Sequence, residues 1–484
     1  MNQKSGAQIS TRAFLQSVII LFVLMMLAGI LTLIIPAGSY QYFDVDGISM
    51  IEPGSFEYLE RPDYPIWRWF TAPIEVLGGP DGLTIIVIIV FILMVGIAFA
   101  VMDKSGLLAA ALSRIVKTFR GRKYLLLLVI SFFFMMIGGF FGIFEEVVPL
   151  VPIMLGLSYF LGWDALVGLG MSILAVNMGF SAAITNPFTL GVAQEIAGLP
   201  LFSGAWFRVF IFLAIYAVFA IFLVGYARKI DANPKASPVY EEDKLAREKY
   251  SDFDLEALSN KSAEQLRRAT IWLFVFIILI LLLLISGPFI PAISSFSLPI
   301  VGLLFFIGGV GAGILAGEPR KDVFHAVKDG LLGIAPAVPL ILMASSIKYI
   351  VAQGGILDTI LFQASHLFSE TNPFVAVGLI YFLALLIEFF IASGSAKAFL
   401  IIPIIIPLAD LVGITRQVTV TAYCFGDGFS NMIYPTNPVL LICLGLSVVS
   451  FPKWLKWSMK LWVWVLLVTL IFLGIGVAIG YGPF

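Results

Sequence analysis

Residues 425–438, FGDGFSNMIYPTNP, interrupt an otherwise apolar segment that extends from about 415 to 448. Their glycines, prolines, carboxylate and amide side chains cannot continue a lipid-facing helix. Irregular backbone is tolerated at membrane depth only where protein surrounds it or where it lines a water-filled cavity. The stretch therefore predicts a broken membrane helix that forms the wall of a polar site.

The composition is that of a polytopic membrane protein. Of 484 residues, 60% are hydrophobic and 12% are charged, and the mean hydropathy is +1.03. A net charge of −1 argues against a nucleic-acid partner. The two cysteines, Cys424 and Cys443, lie in apolar sequence and are interpreted as small buried hydrophobes rather than as a disulfide or a metal site. The first apolar run, 13–37, is too long for a signal-peptide core and predicts a retained first helix.

Lys and Arg residues define the orientation. They concentrate in 103–123, 228–268, 318–330 and 451–460, whereas 353–373 has none and 37–82 has two beside eight acids. This distribution predicts nine crossings, a cytoplasmic N-terminus and a C-terminus outside. Segments 124–158 and 374–409 then enter and leave on the same side. The predicted uninterrupted spans are 13–36, 83–102, 205–227, 269–287, 298–317, 333–352 and 454–480.

The opening stretch has a counterpart in the first half of the chain. Residues 179–187, GFSAAITNP, share Gly-Phe-Ser and Thr-Asn-Pro with residues 428–438. Phe140-Phe141 matches Phe389-Phe390 at the same offset as Gly-Phe-Ser. Because the chain crosses the membrane one extra time between the two halves, the second copy has the opposite orientation in the membrane. Inverted repeats with interrupted helices are typical of secondary transporters.

The expected fold is an all-α polytopic membrane protein with an inverted structural repeat, two re-entrant hairpins and two broken transmembrane helices. The first repeat covers 1–227, with a hairpin at about 124–158 and a broken helix at about 165–199. Residues 228–297 form a cytoplasmic linker, interpreted as solvated in 228–268, and a connecting helix. The second repeat covers 298–484, with a hairpin at about 374–409 and a broken helix at about 415–448.

The hairpin tips and the two breaks supply the candidate site, because inverted hairpins bring their tips together near the midplane. Half-helix N-termini there would offer unpaired N–H groups to an anion. Lys397 at the second tip is either a ligand or part of a glycine-rich turn. Glu145 and Glu146 at the first tip could bind a cation, carry a proton or pair with Lys397. The expected substrate-binding residues are Ser393, Gly394, Ser395, Lys397, Thr185, Asn186, Thr436, Asn437, Asn431, Ser181 and Ser430, and those for a coupling ion or proton are Glu145, Glu146, Asp427 and Glu388.

Two of these assignments have structural alternatives. Asn186 and Asn437, each in Thr-Asn-Pro, could serve carboxylate and ammonium groups or join helices. Glu388 fits equally well a site residue and an interhelical ion pair. Asn177 is expected to line the first break, which has no acid at the place of Asp427.

The run from 416 to 438 (RQVTVTAYCFGDGFSNMIYPTNP), with VAQEIAGLP at 192–200 and SGSAKA at 393–398, resembles YfcC-type basic amino-acid antiporters. These belong to the family of anaerobic C4-dicarboxylate carriers (DcuC-like) and arginine–ornithine exchangers within the ion-transporter superfamily. The resemblance covers nearly the whole chain. It implies a homodimer whose scaffold holds a mobile transport domain that works as an elevator.

The expected function is secondary active transport, by antiport or ion-coupled symport, of small carboxylate-bearing metabolites in the cell membrane. Amino acids such as arginine or ornithine are favoured over C4-dicarboxylates. The two hairpin–broken-helix modules hold five acids and one base, and Arg416 is the only arginine that the sequence places near them. A channel would need a continuous pore lining, and an enzyme would need a nucleophile–base or metal set that the sequence lacks. No cofactor is expected, and the choice between Na⁺ and H⁺ as coupling ion stays open.

Overall fold

The computed structural model describes residues 11–45, 48–52, 54–107, 121–244, 246, 263–286, 296–365 and 371–482. It shows the expected all-helical membrane fold with two hairpins and two broken helices. The sequence pattern also predicts a short amphipathic piece before the first hairpin, and residues 108–120, where it would fall, lie outside the described residues. Helices outside the hairpins and broken helices are Thr11–Ile34, Trp67–Glu75, Gly82–Lys104, Ala205–Ala232, Ala263–Ser286, Ser297–Leu315, Arg320–Ile334, Ala337–Gln353, Leu357–Ser365 and Phe451–Ala478, with short 3₁₀ turns at Val76–Gly78 and Pro234–Ala236.

Each hairpin consists of two helical arms joined by an irregular tip. The first hairpin descends through Lys123–Met136 and a π-helical turn, Ile137–Phe141, and returns through a 3₁₀ turn, Glu145–Leu150, and Val151–Phe160. The second hairpin descends through Pro373–Glu388 and returns through Gly394–Leu411.

The broken helices are interrupted where the two copies of Thr-Asn-Pro occur. The first is built from Ala165–Leu169, Gly170–Leu174 (π-helical), Ala175–Ser181, Pro187–Gly191 (π-helical) and Val192–Ile196. The second is built from Arg416–Ser430 and Pro438–Gly445. Residues 163–184 and 417–432 are buried without interruption. Protein rather than lipid therefore surrounds the interrupted backbone, as its unpaired polar groups require.

Nine helical segments among the described residues are long and apolar enough to cross a membrane. The sequence also predicts nine crossings, but the two sets differ. The structural set includes one arm of each hairpin, Lys123–Phe141 and Gly394–Leu411, and omits the broken helices because each of their pieces is short. The predicted span 333–352 is the second part of a longer segment, Arg320–Gln353.

The first hairpin begins and ends at the same end of the molecule, here called the linker face because residues 233–243 pack there. Lys123, which starts the hairpin, forms a 2.5 Å ion pair with Asp231 at the end of helix Ala205–Ala232. Asp164, which follows the hairpin, accepts hydrogen bonds from Tyr226 (2.5 Å) and Ser237 (2.6 Å). The hairpin therefore enters and returns on one side.

The two broken helices are antiparallel. The first starts at the linker face and ends at the opposite face, where the carbonyl of Ala197 accepts a 2.9 Å hydrogen bond from Arg416. The second starts at Arg416 and runs back, because Lys453, just after its end, donates to the carbonyl of Pro238 at 2.7 Å. These contacts express the inverted repeat in three dimensions.

The segment 233–243 corrects the interpretation of 228–268 as a solvated linker. Residues 228–232 continue helix Ala205–Ala232, and Val239 and Asp243 have no exposed surface. One carboxylate oxygen of Asp243 accepts a 3.0 Å hydrogen bond from the amide of Ala165, the first residue of the first broken helix. An acid at this position also interacts favourably with the partial positive charge at the N-terminus of that helix. The chain between the halves therefore fixes the start of the first broken helix.

The loop 35–66 contains four short strands, β1 (Gly38–Ser39), β2 (Tyr42–Val45), β3 (Ile48–Ile51) and β4 (Glu57–Tyr58). They form two small antiparallel sheets that pair β1 with β4 and β2 with β3. Buried Asp358 of helix Leu357–Ser365 accepts hydrogen bonds from the amide of Tyr40 (3.0 Å) and the hydroxyl of Tyr42 (2.8 Å). Burial raises the pKa of the Asp358 carboxyl, and these donors oppose the shift. The hydrogen bonds to Asp358 thereby connect the first half of the chain to the second.

Candidate functional site

Lys397, in the first turn of the returning arm of the second hairpin, forms the centre of a buried charge cluster. Its side chain has no exposed surface, and its ammonium group forms ion pairs with Glu388 and, at 2.8 Å, with Asp427. The same ammonium donates to the carbonyl of Ile391 at 3.3 Å. Of these three contacts, the one with the carbonyl of Ile391 has the geometry of a hydrogen bond, and the two carboxylates are held as ion pairs. Lys397, Glu388 and Asp427 are called the charge triad below.

The second tip lies between the two broken helices. A Cβ placed on Gly394 would come within 2.3 Å of Cγ2 of Thr189 in the first broken helix and 3.0 Å of Oδ2 of Asp427 in the second. The hydroxyl of Tyr423 donates to the carbonyl of Gly394. Ser393 remains exposed, and Gly394 and Ser395 are half-buried, so the outer side of the tip is accessible.

Asn186 and Asn437 have equivalent roles in the two breaks. Oδ1 of Asn186 accepts from the amides of Phe188 (2.9 Å) and Thr189 (3.3 Å). Oδ1 of Asn437 accepts from the amide of Val439 at 2.9 Å. Each Asn thus caps the half-helix that follows it. The expectation that these N-termini offer unpaired N–H groups to an anion is therefore wrong for the capped amides.

The other residues of the first break bond mainly to neighbouring backbone. The hydroxyl of Thr185 donates to the carbonyl of Phe140 in the first hairpin at 2.9 Å. Ser181 donates to the carbonyl of Asn177 at 2.7 Å, and Ser430 of the second repeat donates to the carbonyl of Gly426, also at 2.7 Å. Both serines close the last turn before a break.

In the second break, polar side chains hydrogen-bond to each other. The amide nitrogen of Asn437 donates to Oδ1 of Asn431 at 2.6 Å. Oγ1 of Thr436 is buried with no hydrogen-bond partner among the described residues. Both amide atoms of fully buried Asn177, in the first broken helix, and Oγ1 of Thr189 also lack such a partner. These orphaned groups are capable of binding a polar ligand at the breaks.

Glu145 and Glu146 lie at the first tip, where the 3₁₀ turn begins. Glu145 is exposed, whereas Oε2 of half-buried Glu146 lies 3.4 Å from the amide of Phe144. The alternative in which Lys397 pairs with Glu145 or Glu146 is wrong in the described structure, because the partners of Lys397 are in its own hairpin and in the second broken helix.

The two broken helices cross in direct contact. A Cβ placed on Gly428 would come within 2.4 Å of Oγ and 2.6 Å of Cα of Ser181. Only a residue without a side chain allows this approach. The crossing brings the ends of both first half-helices together, beside the second tip.

Arg208 is a residue near the site that the sequence did not reveal, and Arg416 is therefore not the only arginine near the modules. It lies in the first turn of helix Ala205–Ala232 and is only 2% exposed. Its guanidinium makes two hydrogen bonds to the carbonyl of Ile184, in the first break, at 3.1 and 3.3 Å. Further hydrogen bonds join it to the carbonyls of Ser203 and Phe202 and the hydroxyl of Tyr481. All five donors are occupied, so Arg208 holds the break in place rather than offering a free fork to an anion.

Comparisons with known proteins match nearly the whole chain. The model of the C4-dicarboxylate anaerobic carrier family (DcuC) matches residues 14–478. "Putative basic amino acid antiporter YfcC" of Escherichia coli K12 is 30% identical over 474 residues, which are 91% of this chain and 92% of that protein. An uncharacterized protein of Haemophilus influenzae is 28% identical over 483 residues, 91% of this chain and 92% of that protein. The crystal structure of the Alcanivorax borkumensis YdaH transporter aligns with 97% of this chain and 100% of that chain, at 18% identity and a TM-score of 0.41.

Proposed function

The chain belongs to the C4-dicarboxylate anaerobic carrier (DcuC) family and is therefore a multi-pass membrane transporter of a small molecule and not an enzyme, and we propose that it carries amino acids. The proposed mode is secondary active, by exchange or by symport with a cation. The observation that supports this most directly is the charge triad between the two broken helices.

The acids of the candidate site exceed its bases. With all three groups ionised, the triad has a charge of −1, and Glu145 and Glu146 add two further acids at the first tip. Arg208 contacts only carbonyls and a hydroxyl and neutralises none of these acids directly. Burying an excess negative charge is costly, so the site favours a positive group in the substrate or a coupling cation. A dicarboxylate would add two negative charges.

The carboxylate of an amino acid fits the accessible side of the second tip. Oγ of Ser393 caps the amide of Ala396 at 3.5 Å, so the amides of Gly394 and Ser395 are the ones that helix Gly394–Leu411 offers at its N-terminus, which favours negative charge. Ser393 and Ser395 add hydroxyl donors beside them. The ammonium of Lys397, which is paired with Glu388 and Asp427, contributes its charge to the site rather than a direct bond.

The elevator motion and the homodimer are also part of the proposal. The scaffold consists of the helices in 11–34, 82–104, 263–286, 297–315 and 320–353, and the mobile unit contains the hairpins and broken helices. A cleft between them is lined on the scaffold side by Ile88, Phe91 and Leu298. Apolar surfaces can move past each other without breaking hydrogen bonds, so the boundary between the scaffold and the mobile unit is suited to movement.

Competition for uptake separates the two candidate substrate classes. In proteoliposomes that contain the purified protein, arginine, ornithine or neutral amino acids are expected to block the uptake of labelled arginine. Succinate and fumarate in excess are expected to have little effect. Preloading with unlabelled arginine tests exchange, and imposed Na⁺ or pH gradients test coupling. Inhibition by succinate or fumarate alone, with every amino acid inert, would instead identify a dicarboxylate carrier.

Thiol labelling tests the proposed orientation, with the linker face in the cytoplasm. Glu60→Cys, in the exposed part of loop 35–66, is expected to react with an impermeant maleimide in intact cells. Lys235→Cys, exposed at the linker face, is expected to react only after permeabilisation. The native cysteines are buried and give little background. The reverse pattern of labelling would invert the orientation.

A further inference from the structure

The ammonium group of Lys397 lies among oxygen atoms from three separate pieces of the chain. Glu388 ends the descending arm of the second hairpin, Ile391 contributes a carbonyl in the turn, and Asp427 belongs to the second broken helix. The three side chains of the charge triad are at most 1% exposed. Carboxylate and carbonyl oxygens are also the ligands that proteins offer to hard metal cations. The ammonium therefore fills a place that has the chemistry of a cation site.

The local structure brings the ammonium of Lys397 to this place. Lys397 lies in the first turn of helix Gly394–Leu411, and side chains on a helix point back towards its N-terminus, which here leads to the turn at Ile391. Gly394 allows the second broken helix to come close, because a Cβ there would lie 3.0 Å from Oδ2 of Asp427. The hairpin that supplies Glu388 and the carbonyl of Ile391 thus also supplies their cation.

The two acids and the lysine occur together in the second repeat only. At the offset that aligns the two copies of Gly-Phe-Ser, Glu388 corresponds to Gly139 and Asp427 to Met178 in the first repeat. Two carboxylates that are buried side by side are costly unless a cation joins them. A lysine satisfies this requirement permanently, because its ammonium is covalently attached to the chain and cannot diffuse away.

From this geometry, and resting on the proposed secondary active transport, we propose that Lys397 takes the place of a coupling metal ion at the second tip. Glu388 and Asp427, which the sequence suggests for a coupling ion or proton, then keep the same tethered cation throughout the transport cycle. No metal ion enters or leaves the second tip with the substrate. The one negative charge that remains on the triad acts on the substrate at longer range.

A variant that removes the ammonium and leaves the acids in place tests this proposal. Lys397→Ala opens the space between Glu388 and Asp427, so Na⁺ is expected to bind there. In detergent, sodium chloride should then raise the midpoint of thermal unfolding of Lys397→Ala by about 2 °C or more relative to choline chloride at equal ionic strength. The shift should depend on Na⁺ concentration as binding at one site requires, and it should exceed any shift of the wild type, in which the ammonium fills the space.

Two further variants separate Na⁺ binding from other effects of salt. Lys397→Met removes the charge but fills the space with a side chain of similar length. Lys397→Ala/Asp427→Asn keeps the space but removes one carboxylate. Both are expected to respond to Na⁺ as the wild type does. Lys397→Ser, whose hydroxyl adds an oxygen ligand, takes the place of Lys397→Ala where the latter yields no folded protein.

The outcomes separate this inference from the proposed function. A Na⁺ shift in folded Lys397→Ala or Lys397→Ser no greater than that of the wild type would overturn the tethered cation, and so would an equal shift in Lys397→Met. Recovery of folded Lys397→Met, but of neither smaller variant in sodium chloride, would overturn it as well. These measurements need no transport. A wild-type protein that transports no amino acid would instead overturn the proposed substrate class and leave the unfolding results as they are.

Discussion

Lys397→Ala is expected to abolish transport and to destabilise the folded protein by about 3–5 kcal/mol, the cost of removing one partner of a buried ion pair. Lys397 has no exposed surface, and its loss leaves the carboxylates of Glu388 and Asp427 buried together without their cation. Removing a second member of the triad should relieve most of that cost. The double variants Lys397→Ala/Asp427→Asn and Lys397→Ala/Glu388→Gln are therefore expected to fold better than Lys397→Ala and still not to transport.

Thermal unfolding in detergent and uptake into proteoliposomes measure the two effects separately. Lys348→Ala is the matched control, because the 2.6 Å ion pair of Lys348 with Asp81 is solvent-exposed, with 36% and 47% of the side chains accessible. Surface pairs contribute about 0–1 kcal/mol, so this variant should be nearly as stable as the wild type. Normal transport by Lys397→Ala would show that the triad has no part in function. A Lys397→Ala protein as stable as Lys348→Ala would contradict the ion-pair argument.

The positions of the two helix breaks could be predicted from the sequence because local sequence signals mark them. Thr-Asn-Pro occurs twice, and the physical requirements of a helix start, an Asn cap followed by Pro, operate within a few residues. Asn186 and Asn437 therefore cap their half-helices in the same way. The prediction that these N-termini offer free N–H groups to an anion was wrong for the same local reason, because the Asn caps occupy amides that were expected to be free.

The alternative that paired Lys397 with Glu145 or Glu146 was wrong because the repeat brings the two tips together without specifying their side-chain contacts. Glu388 and Lys397 flank the turn of one hairpin, at the inner end of each arm, so a hairpin of two antiparallel arms places them at one depth. That proximity was available from the sequence. Asp427 comes from another helix, and its approach depends on the glycine at Gly394, which only the tertiary structure reveals.

Arg208 had no comparable signal. In the sequence it is one basic residue at the end of an apolar helix, where arginines commonly face water or lipid headgroups. It is buried because Phe202, Ser203 and Tyr481, which lies near the end of the sequence, fold over it. The docking of Asp243 onto the first broken helix is likewise a long-range contact within a segment whose charge pattern resembles a solvated linker.

Gly179→Ala and Gly428→Ala, at equivalent positions of the repeats, are expected to destabilise the protein by about 1–3 kcal/mol or more and to impair transport strongly, because overpacking a buried contact shifts the backbone. The new methyl group would come within 1.8 Å of the carbonyl oxygen of Met135 in the first case and 2.6 Å of Cα of Ser181 in the second, and backbone cannot yield as a flexible side chain does. Gly474→Ala is the matched control: nothing lies within 4 Å of its new methyl group, and Ala in a helix interior gains about 0.5–1 kcal/mol over Gly. Thermal unfolding should therefore show a loss of stability in Gly179→Ala and Gly428→Ala and a gain in Gly474→Ala. Arginine uptake measured side by side should fall in the first two variants. Equal stability and transport in Gly428→Ala and Gly474→Ala would mean that the broken helices do not cross as closely as their glycines permit.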